Sequence, residues 1–254
     1  MTTSISGTSG VTFPAGGVGN PAGTVVGTTD TQTLTNKTLG AGTATVPTIL
    51  LASGVNLTSA TAGAFEYDGR VLDFTPIGTQ RGIIPNQQYY RLNSTITGAD
   101  ATGVQSAYGV GVTLSASTVY EFYMYFVISK SAGVTTHTIS LGFGGTATVN
   151  NILYGGMTQV TSTSFVSGSG GTASSFDSNT VSATVATGAG SGSAGRTFAV
   201  YLTGTVSINA GGTFIPQYSL SAAPGGAYTT QIGSFIRINP LSASGAATNV
   251  GTWA

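Results

Sequence analysis

Charged and titratable side chains are scarce in this chain, and their scarcity limits the folds that it can adopt. The 254 residues include seven Lys or Arg, seven Asp or Glu, one His and no Cys. Glu, Lys and Arg are strong helix formers, so their rarity disfavours helices with exposed faces. Thr, Val, Ile, Tyr and Phe suit pleated strands, and the 39 Gly residues, about twice the usual share, suit turns. The composition therefore predicts an all-β protein.

The same composition argues against enzymatic catalysis. Most catalysis needs a side chain that transfers a proton, attacks an electron-poor centre or holds a metal ion. We therefore expect no catalytic residue, no cofactor and no metal site, and the absence of Cys excludes disulfides. A net charge of zero offers no basic surface to nucleic acid. The longest apolar run, residues 119–128, is too short to span a bilayer, so membrane insertion is not expected.

Charged side chains on the surface keep proteins from aggregating, and this chain has few of them. A symmetric assembly would cover much of so neutral a surface. The alternative is a monomer that Ser, Thr and Asn keep in solution. The first residues, MTTSISGTSG, have neither a basic nor an apolar region of the kind that a secretory signal needs, so no such signal is expected.

Composition divides the chain into four parts. Residues 1–60 are rich in Gly, Thr, Ser and Ala and predict an extended arm or anchor, with a disordered leader as the alternative. Residues 61–85 predict a β-hairpin and connector, and residues 86–240 a compact β domain. Residues 241–254 predict a C-terminal tail.

The hairpin is the clearest local signal. Asp68-Gly69 is typical of a two-residue turn, which would pair Tyr67 with Arg70 and Phe65 with Leu72. Alternation then predicts one apolar face and one polar, solvent-facing side. The apolar face carries Phe65, Tyr67, Leu72 and Phe74, and the other side carries Glu66, Val71 and Asp73. An isolated hairpin is marginal in water, so the apolar face needs a partner, which two sister chains about a threefold axis could supply.

The β domain contains several predicted strands. Residues 119–128 are almost continuously apolar or aromatic, which predicts a strand buried on both faces, between a core and a subunit interface. On it, Tyr123 and Tyr125 share a face with Glu121, opposite to Phe122 and Met124. Further strands are predicted at 135–141, 197–209, 213–220 and 231–238, with Pro216 indicating an edge or a bulge. Such a series of short strands is typical of a sandwich or jelly roll.

Isolated polar groups have plain interpretations. Glu66, Asp68 and Asp73 are close in sequence, but turn formation and solubility explain them better than a catalytic carboxylate pair. His137 stands alone and is expected to make one hydrogen bond. Six tyrosines near predicted turns are candidates for exposed contacts with sugars or subunits, although packing is the commoner role. They are Tyr89, Tyr90, Tyr108, Tyr154, Tyr218 and Tyr228.

Two resemblances refine these expectations. The string Leu-Thr-Asn-Lys-Thr-Leu at 34–39, followed by Ile-Leu-Leu at 49–51, Ala-Gly-Ala-Phe-Glu-Tyr-Asp-Gly at 62–69 and Arg-Gly at 81–82, resembles a module of tailed-bacteriophage fibres and related virion surface proteins. That resemblance implies a virion protein made in the bacterial cytoplasm, anchored through its arm, with Leu34 and Leu39 as anchor residues. Its partners would be capsid or tail proteins.

The second resemblance covers the last two thirds of the chain. The strings Tyr-Glu-Phe-Tyr-Met-Tyr-Phe at 120–126, Gly-Thr-Phe at 212–214 and Gly-Ser-Phe-Ile-Arg-Ile at 233–238 are similar to strands of trimeric C1q and tumour-necrosis-factor-like jelly rolls. This implies a homotrimer with a jelly-roll head. Tyr123 and Tyr125 are candidates for packing at its interface, since the strand at 119–128 is expected to lie between a core and a subunit interface. No cluster of calcium ligands accompanies the resemblance, so no axial metal is expected.

Together these expectations describe a non-enzymatic trimeric head decoration or short fibre on the virion surface. Three alternatives stay open: a tail fibre or receptor-binding protein that contacts host surface glycans, a glycan hydrolase, and a C1q-like lectin unrelated to phage.

Overall fold

The computed structural model describes residues 41–160, 172–187, 194–243 and 249–251. By its contacts the chain divides into two units, Met1–Leu50 and Leu51–Ala254. In the first unit the described residues 41–50 include a bend at 44–46, across which the Thr43 N–H donates to the Val46 carbonyl over 2.7 Å. The predicted anchor residues Leu34 and Leu39 lie outside the described residues.

Every helix or strand within the described ranges is a β-strand, which confirms the all-β prediction. The strands are β1 (Phe65–Tyr67), β2 (Leu72–Phe74), β3 (Gly82–Ile84), β4 (Gln88–Arg91), β5 (Ile96–Thr97), β6 (Gln105–Ser106), β7 (Val112–Leu114), β8 (Thr118–Lys130), β9 (Ile139–Gly144), β10 (Thr148–Val160), β11 (Thr172–Ser178), β12 (Thr184–Val185), β13 (Arg196–Ala210), β14 (Gly212–Leu220), β15 (Thr229–Thr230) and β16 (Phe235–Ser242). A search of the described residues for a helix long and apolar enough to cross a membrane finds none.

The strands form three antiparallel sheets. A small sheet has the order β1-β2-β3. A large sheet of eight strands follows the order β11-β10-β13-β8-β15-β5, with β16 also beside β8 and β4 beside β16. A five-stranded sheet has the order β12-β9-β14-β6, with β7 also beside β14. Most neighbours in the two larger sheets are distant in sequence, so the fold depends on long-range pairing.

The large and five-stranded sheets pack face to face as a sandwich around one apolar core. Alternate residues of each strand point inward, as the period of two requires. On β13 the inward-facing apolar residues are all buried, namely Phe198, Val200, Leu202, Val206 and Ile208. At the centre, the Phe122 ring of β8 lies 5.1 Å from that of Phe143 on β9 and 5.9 Å from that of Phe214 on β14, centroid to centroid. These contacts join the two sheets.

The strand boundaries depart from the prediction in two places. The strand predicted at 135–141 begins only at Ile139. The backbone of Thr135 is engaged outside the sheet, because its carbonyl accepts a hydrogen bond from the His137 ring and its N–H donates to the Pro224 carbonyl. Of the strand predicted at 231–238, residues 231–234 form a turn, and only 235–238 are strand, within β16, which continues to Ser242. The strand predicted at 197–209 is confirmed to within one residue at each end.

Pro216 occupies a gap along one edge of β14. On that edge β7 pairs with 212–214 and β6 pairs with 217–218. The Pro216 carbonyl accepts the Ala107 N–H over 2.9 Å within the gap. The register with β6, continued by one residue, sets Ala107 opposite Pro216, so the missing N–H of proline removes only the return bond to the Ala107 carbonyl. The expected edge strand is not observed, because β14 pairs with β9 on one side and with β6 and β7 on the other; Pro216 instead lies where these two short neighbours meet.

The predicted register of the hairpin is wrong. Tyr67 pairs with Leu72 and Phe65 with Phe74, across a four-residue loop rather than a two-residue turn. The Asp68 carboxylate causes the longer loop, because it accepts the N–H groups of Arg70 over 2.8 Å and Val71 over 2.7 Å. Gly69 supplies the left-handed φ of 93° that the loop needs. A shift of two residues leaves every side chain on its predicted face, because the side-chain period is two.

Candidate functional site: two apolar sheet faces

The outer face of the large sheet carries a group of aromatic rings. We call it the aromatic platform, and its members are Tyr89 on β4, Tyr123 and Tyr125 on β8, Tyr201 on β13 and Phe235 on β16. The register sets Tyr125 between Tyr201 and Phe235 in one row. In the next row Arg237 lies between Tyr123 and Tyr89. Five rings from four strands are thus brought side by side.

The rings of the platform contact one another closely. Tyr89 stacks on Phe235 with centroids 5.3 Å apart, and Tyr125 lies 4.5 Å from Tyr201. The Arg237 guanidinium carbon lies 4.8 Å from the centre of the Tyr123 ring, a cation–π contact. Burial, and then the neighbouring Tyr201, raise the pKa of Tyr125 above its ordinary value. Tyr125 is therefore neutral at physiological pH, and the platform presents apolar ring area.

The platform is only partly covered within one chain. Tyr89 is 54% exposed, and its neighbours in the platform are half-buried. Exposed apolar side chains of β10, Leu153 and Met157, extend the same face. The inner face of β8 is buried, as predicted. Its outer face is half-buried, so the second cover predicted for this strand would have to come from another molecule.

The small sheet has a second apolar face. Its first row joins Phe65 and Phe74, and its second row joins Tyr67, Leu72 and Ile84. Phe65 is 53% exposed, and Phe74 and Ile84 are also exposed. A hollow of 460 Å³ lies beside the second row. We call this surface the hairpin face.

The structure therefore brings the predicted packing residues into two groups. Tyr123 and Tyr125 belong to the platform, whereas Phe65, Tyr67, Leu72 and Phe74 belong to the hairpin face. Sequence reasoning missed the contributions of Tyr201, Phe235 and Ile84. The alternation of β13 already places Tyr201 on the outer side, but no sequence signal shows which strands lie beside it.

Protein families, curated proteins and solved structures were compared with this chain, and none matches it. The function proposed below therefore rests on the sequence resemblances given above and on the contacts of the described residues.

Four of the six tyrosines considered for exposed contacts are buried instead. Tyr108, Tyr154, Tyr218 and Tyr228 belong to the core. The Tyr108 hydroxyl donates to the Phe235 carbonyl over 2.7 Å. Burial raises the pKa of Tyr218 to about 12. Tyr89 and Tyr90, both on β4, are exposed.

The prediction of a solvent-facing polar side on the hairpin is also wrong. Glu66 accepts the Leu57 N–H over 2.6 Å and the Arg81 Nε–H over 2.8 Å. The Arg81 hydrogen bond, and then the Leu57 N–H, lower the pKa of Glu66 below its ordinary value. Asp73 is buried and accepts a bond from the Asn56 amide over 2.8 Å, while its desolvation raises its pKa. The segment around Asn56 and Leu57 therefore covers this side of the sheet.

Each of these carboxylates has a structural contact, as does Asp68 in the loop. Within the ranges that the structure describes, no three His, Cys, Asp or Glu side chains are grouped so that they could hold a metal ion.

His137 makes two ring hydrogen bonds, not the single bond expected. Its Nδ1 lies 2.8 Å from the Thr135 carbonyl, and its Nε2 lies 2.8 Å from the Tyr228 hydroxyl. A carbonyl can only accept, so Nδ1 carries the proton and Nε2 accepts from Tyr228. Both side chains are buried. The pair therefore holds a neutral imidazole between the sheets.

Lowering the pH should destabilise the folded protein, because His137 is buried in its neutral form. Burial is the main reason that its pKa lies below 6.5; Lys130 and Arg196 lower it further, while the Thr135 hydrogen bond and Asp100 oppose them. Below its ordinary pKa of about 6.5, the unfolded chain binds a proton that the folded chain refuses, so acid favours unfolding. We expect the free energy of unfolding, measured by urea denaturation, to decrease between about pH 7 and about pH 5.

The variant His137→Gln is the control for this titration, because it cannot bind that proton. Its unfolding free energy should change less over the same interval than that of the wild type. Equal slopes for both proteins would contradict the assignment.

Proposed function

We propose that this chain is a non-enzymatic structural protein of a phage virion, a homotrimeric head decoration or short fibre with a jelly-roll-like head. The virion assignment is based on the resemblance of residues 34–82 to the phage surface module. The strand order supports a jelly roll, since consecutive strands such as β8, β9 and β10 alternate between the two facing sheets. The extended arm would attach the protein to capsid or tail proteins.

The aromatic platform is the observation that best supports a trimer. Monomeric proteins rarely expose large contiguous apolar patches, and such patches commonly mark interaction surfaces. The platform combines tyrosine, phenylalanine and an arginine stacked on a ring, the residue types enriched at interface centres. A closed symmetric assembly would cover it, and the exposed hairpin face is a second apolar surface that such an assembly could cover. The neutral surface of the chain fits such covering.

The test of the trimer is the mass in solution by light scattering. The wild type should have three times the chain mass at micromolar concentration. Tyr125→Arg would place a charge inside the platform, and desolvation of that charge should shift the protein towards monomer. Phe65→Arg should weaken the trimer through the hairpin face. Thr113→Arg is the matched control, because Thr113 is an exposed outer position on β7 of the other sheet, and it should leave the mass unchanged.

A wild-type protein that is monomeric under these conditions would overturn the trimer. The virion assignment is tested separately, by mass spectrometry of purified particles of the phage that encodes the chain. Particles that lack the protein should lose capsid stability if it is a decoration protein. They should lose adsorption to cells if it binds the host receptor.

A further inference from the structure

β4 lies at one edge of the large sheet and, among the described strands, pairs only with β16. The next residue, Leu92, donates its N–H to the Ser234 carbonyl over 2.9 Å, and its carbonyl accepts the Gly233 N–H over 3.0 Å. Both groups of Leu92 therefore point towards β16. Successive strand residues direct these groups to opposite edges, so the N–H and carbonyl groups of Tyr89 and Arg91 point away from β16. We call this unpaired side the β4 edge.

An apolar cleft of about 420 Å³ lies beneath the β4 edge, where the large sheet and the five-stranded sheet meet. We call it the edge cleft. On the large sheet, Tyr90 pairs with Ile236, and its ring lies 6.5 Å from that of the core residue Tyr108. Val112 on β7 and Val110 just before it line the facing side. Tyr90 is 41% exposed and Val110 is 43% exposed, so the cleft is open to solvent.

The β4 edge and the edge cleft together suit an extended peptide. A strand added at the edge would exchange backbone hydrogen bonds with Tyr89 and Arg91. Residues that face each other across a ladder share a side of the sheet, so those opposite Tyr90 would point inward, into the cleft. In strand addition of this kind, main-chain bonds supply affinity and pockets for alternate side chains supply specificity.

The charges beside the β4 edge are positive. β4 and β16 together carry two charged side chains, Arg91 and Arg237, and no carboxylate. Both arginines are exposed on the outer face, and neither has a carboxylate oxygen within 4.0 Å among the described residues. Glu121 shares this face but belongs to β8, on the other side of β16. An acidic residue opposite Arg91 on an added strand would make a favourable cross-strand pair.

We propose that the β4 edge binds an extended segment of a partner protein, with alternate apolar side chains in the edge cleft and an acidic residue between them beside Arg91. All of these contacts come from one chain, so the proposal does not depend on the trimer or on the virion assignment. An unpaired edge readily joins other strands, and a dedicated partner strand would cover it.

Fluorescence anisotropy with a labelled synthetic peptide, Thr-Val-Glu-Val-Glu-Val-Thr, tests the proposal. The peptide should bind, and its affinity should fall as salt is added, because charge contributes to it. A peptide of the same composition without the alternation, Val-Val-Glu-Glu-Thr-Val-Thr, should bind more weakly. Absence of binding by the alternating peptide would overturn the site, and equal binding by both peptides would overturn strand addition.

A matched pair of variants isolates the backbone contact. Tyr89→Pro removes an N–H from the β4 edge, whereas Tyr89→Ala keeps it, and both lose the same ring. Because that N–H points away from β16, proline leaves the β4–β16 ladder intact. Tyr89→Pro should bind the alternating peptide about tenfold more weakly than Tyr89→Ala, as expected for a lost hydrogen bond. Equal affinities would contradict pairing at this edge.

Two further variants test the side-chain contacts. Val110→Arg places a charge in the edge cleft and should weaken binding, whereas Val134→Arg, at an exposed valine outside the cleft lining, should not. Arg91→Glu should reverse the charge preference, so that a peptide with Lys in place of Glu binds more tightly than the original. A preference unchanged by Arg91→Glu would show that the acidic residue does not lie beside Arg91.

A second copy of this chain is the alternative occupant of the β4 edge, and light scattering distinguishes it. Tyr89→Pro and Tyr89→Ala should have the same mass at the same concentration. A lower mass for Tyr89→Pro would assign the edge to pairing between copies, and the proposed partner segment would be wrong.

Discussion

Replacing Phe122 by alanine is expected to lower the free energy of unfolding by about 3–5 kcal/mol. Phe122 is only 1% exposed, and its ring contacts Phe143 and Phe214 on the facing sheet. It also lies 6.5 Å from the Tyr154 ring within its own sheet. Removing the ring would leave a cavity among three aromatic side chains that rigid strands hold apart, so little collapse can compensate.

Urea denaturation of the wild type and variants, at one protein concentration, measures this loss. The concentration must be fixed, because assembly makes apparent stability depend on it. Phe122→Leu keeps much of the apolar volume and should cost less than Phe122→Ala. Thr113→Ala, at an exposed position, should stay within about 0.5 kcal/mol of the wild type. A loss below about 1 kcal/mol for Phe122→Ala would contradict a core centred on this ring.

Local patterns predicted the all-β class and the faces of the long strands. On β13, alternation alone separates Val200 and Leu202, which are buried, from Thr203 and Thr205, which are exposed. The same alternation on β8 separates Phe122 from Tyr123. These assignments succeed because a strand buried on one side obeys a period of two whatever its neighbours are.

Side chain–backbone hydrogen bonds caused the local errors. Asp68 binds two backbone N–H groups and so lengthens a loop that Asp-Gly alone would make a tight turn. The His137 ring bonds the Thr135 carbonyl, which delays the start of β9. Hydrogen bonds of this kind compete with the backbone hydrogen bonds of the sheet. The alternation of apolar and polar residues does not show which of the two will form.

The candidate site could be predicted only in part. Tyr123 and Tyr125 share a face by parity, and the hairpin face follows from the sequence around Asp68. The pairing of β16 with β8 places Phe235 beside Tyr125, although more than a hundred residues separate them in sequence. Long-range register depends on the whole fold, so a single sequence does not reveal it.

Replacing Gly204 by valine is the second change for which we expect a large effect on stability. Strand propensity and the observed packing predict opposite signs for this effect. Valine suits strands and glycine weakens them, so the position of Gly204 within β13 would suggest that the change is stabilising. In the sheet, however, Gly204 lies between Tyr154 on β10 and Phe122 on β8. A Cβ at Gly204 would meet the Leu153 carbonyl oxygen and would lie 2.5 Å from the Tyr154 Cβ.

Because these neighbours are backbone atoms and the root of a side chain, they cannot rotate away. We expect Gly204→Val to lower the free energy of unfolding by about 1–3 kcal/mol, the usual cost of overpacking a filled core. Thr205→Val is the matched control, since it introduces the same side chain at the next, outward and exposed position of β13 and should change stability by about 0.5 kcal/mol at most. If urea denaturation found Gly204→Val as stable as the wild type, β10 could not lie as close to Gly204 of β13 as described.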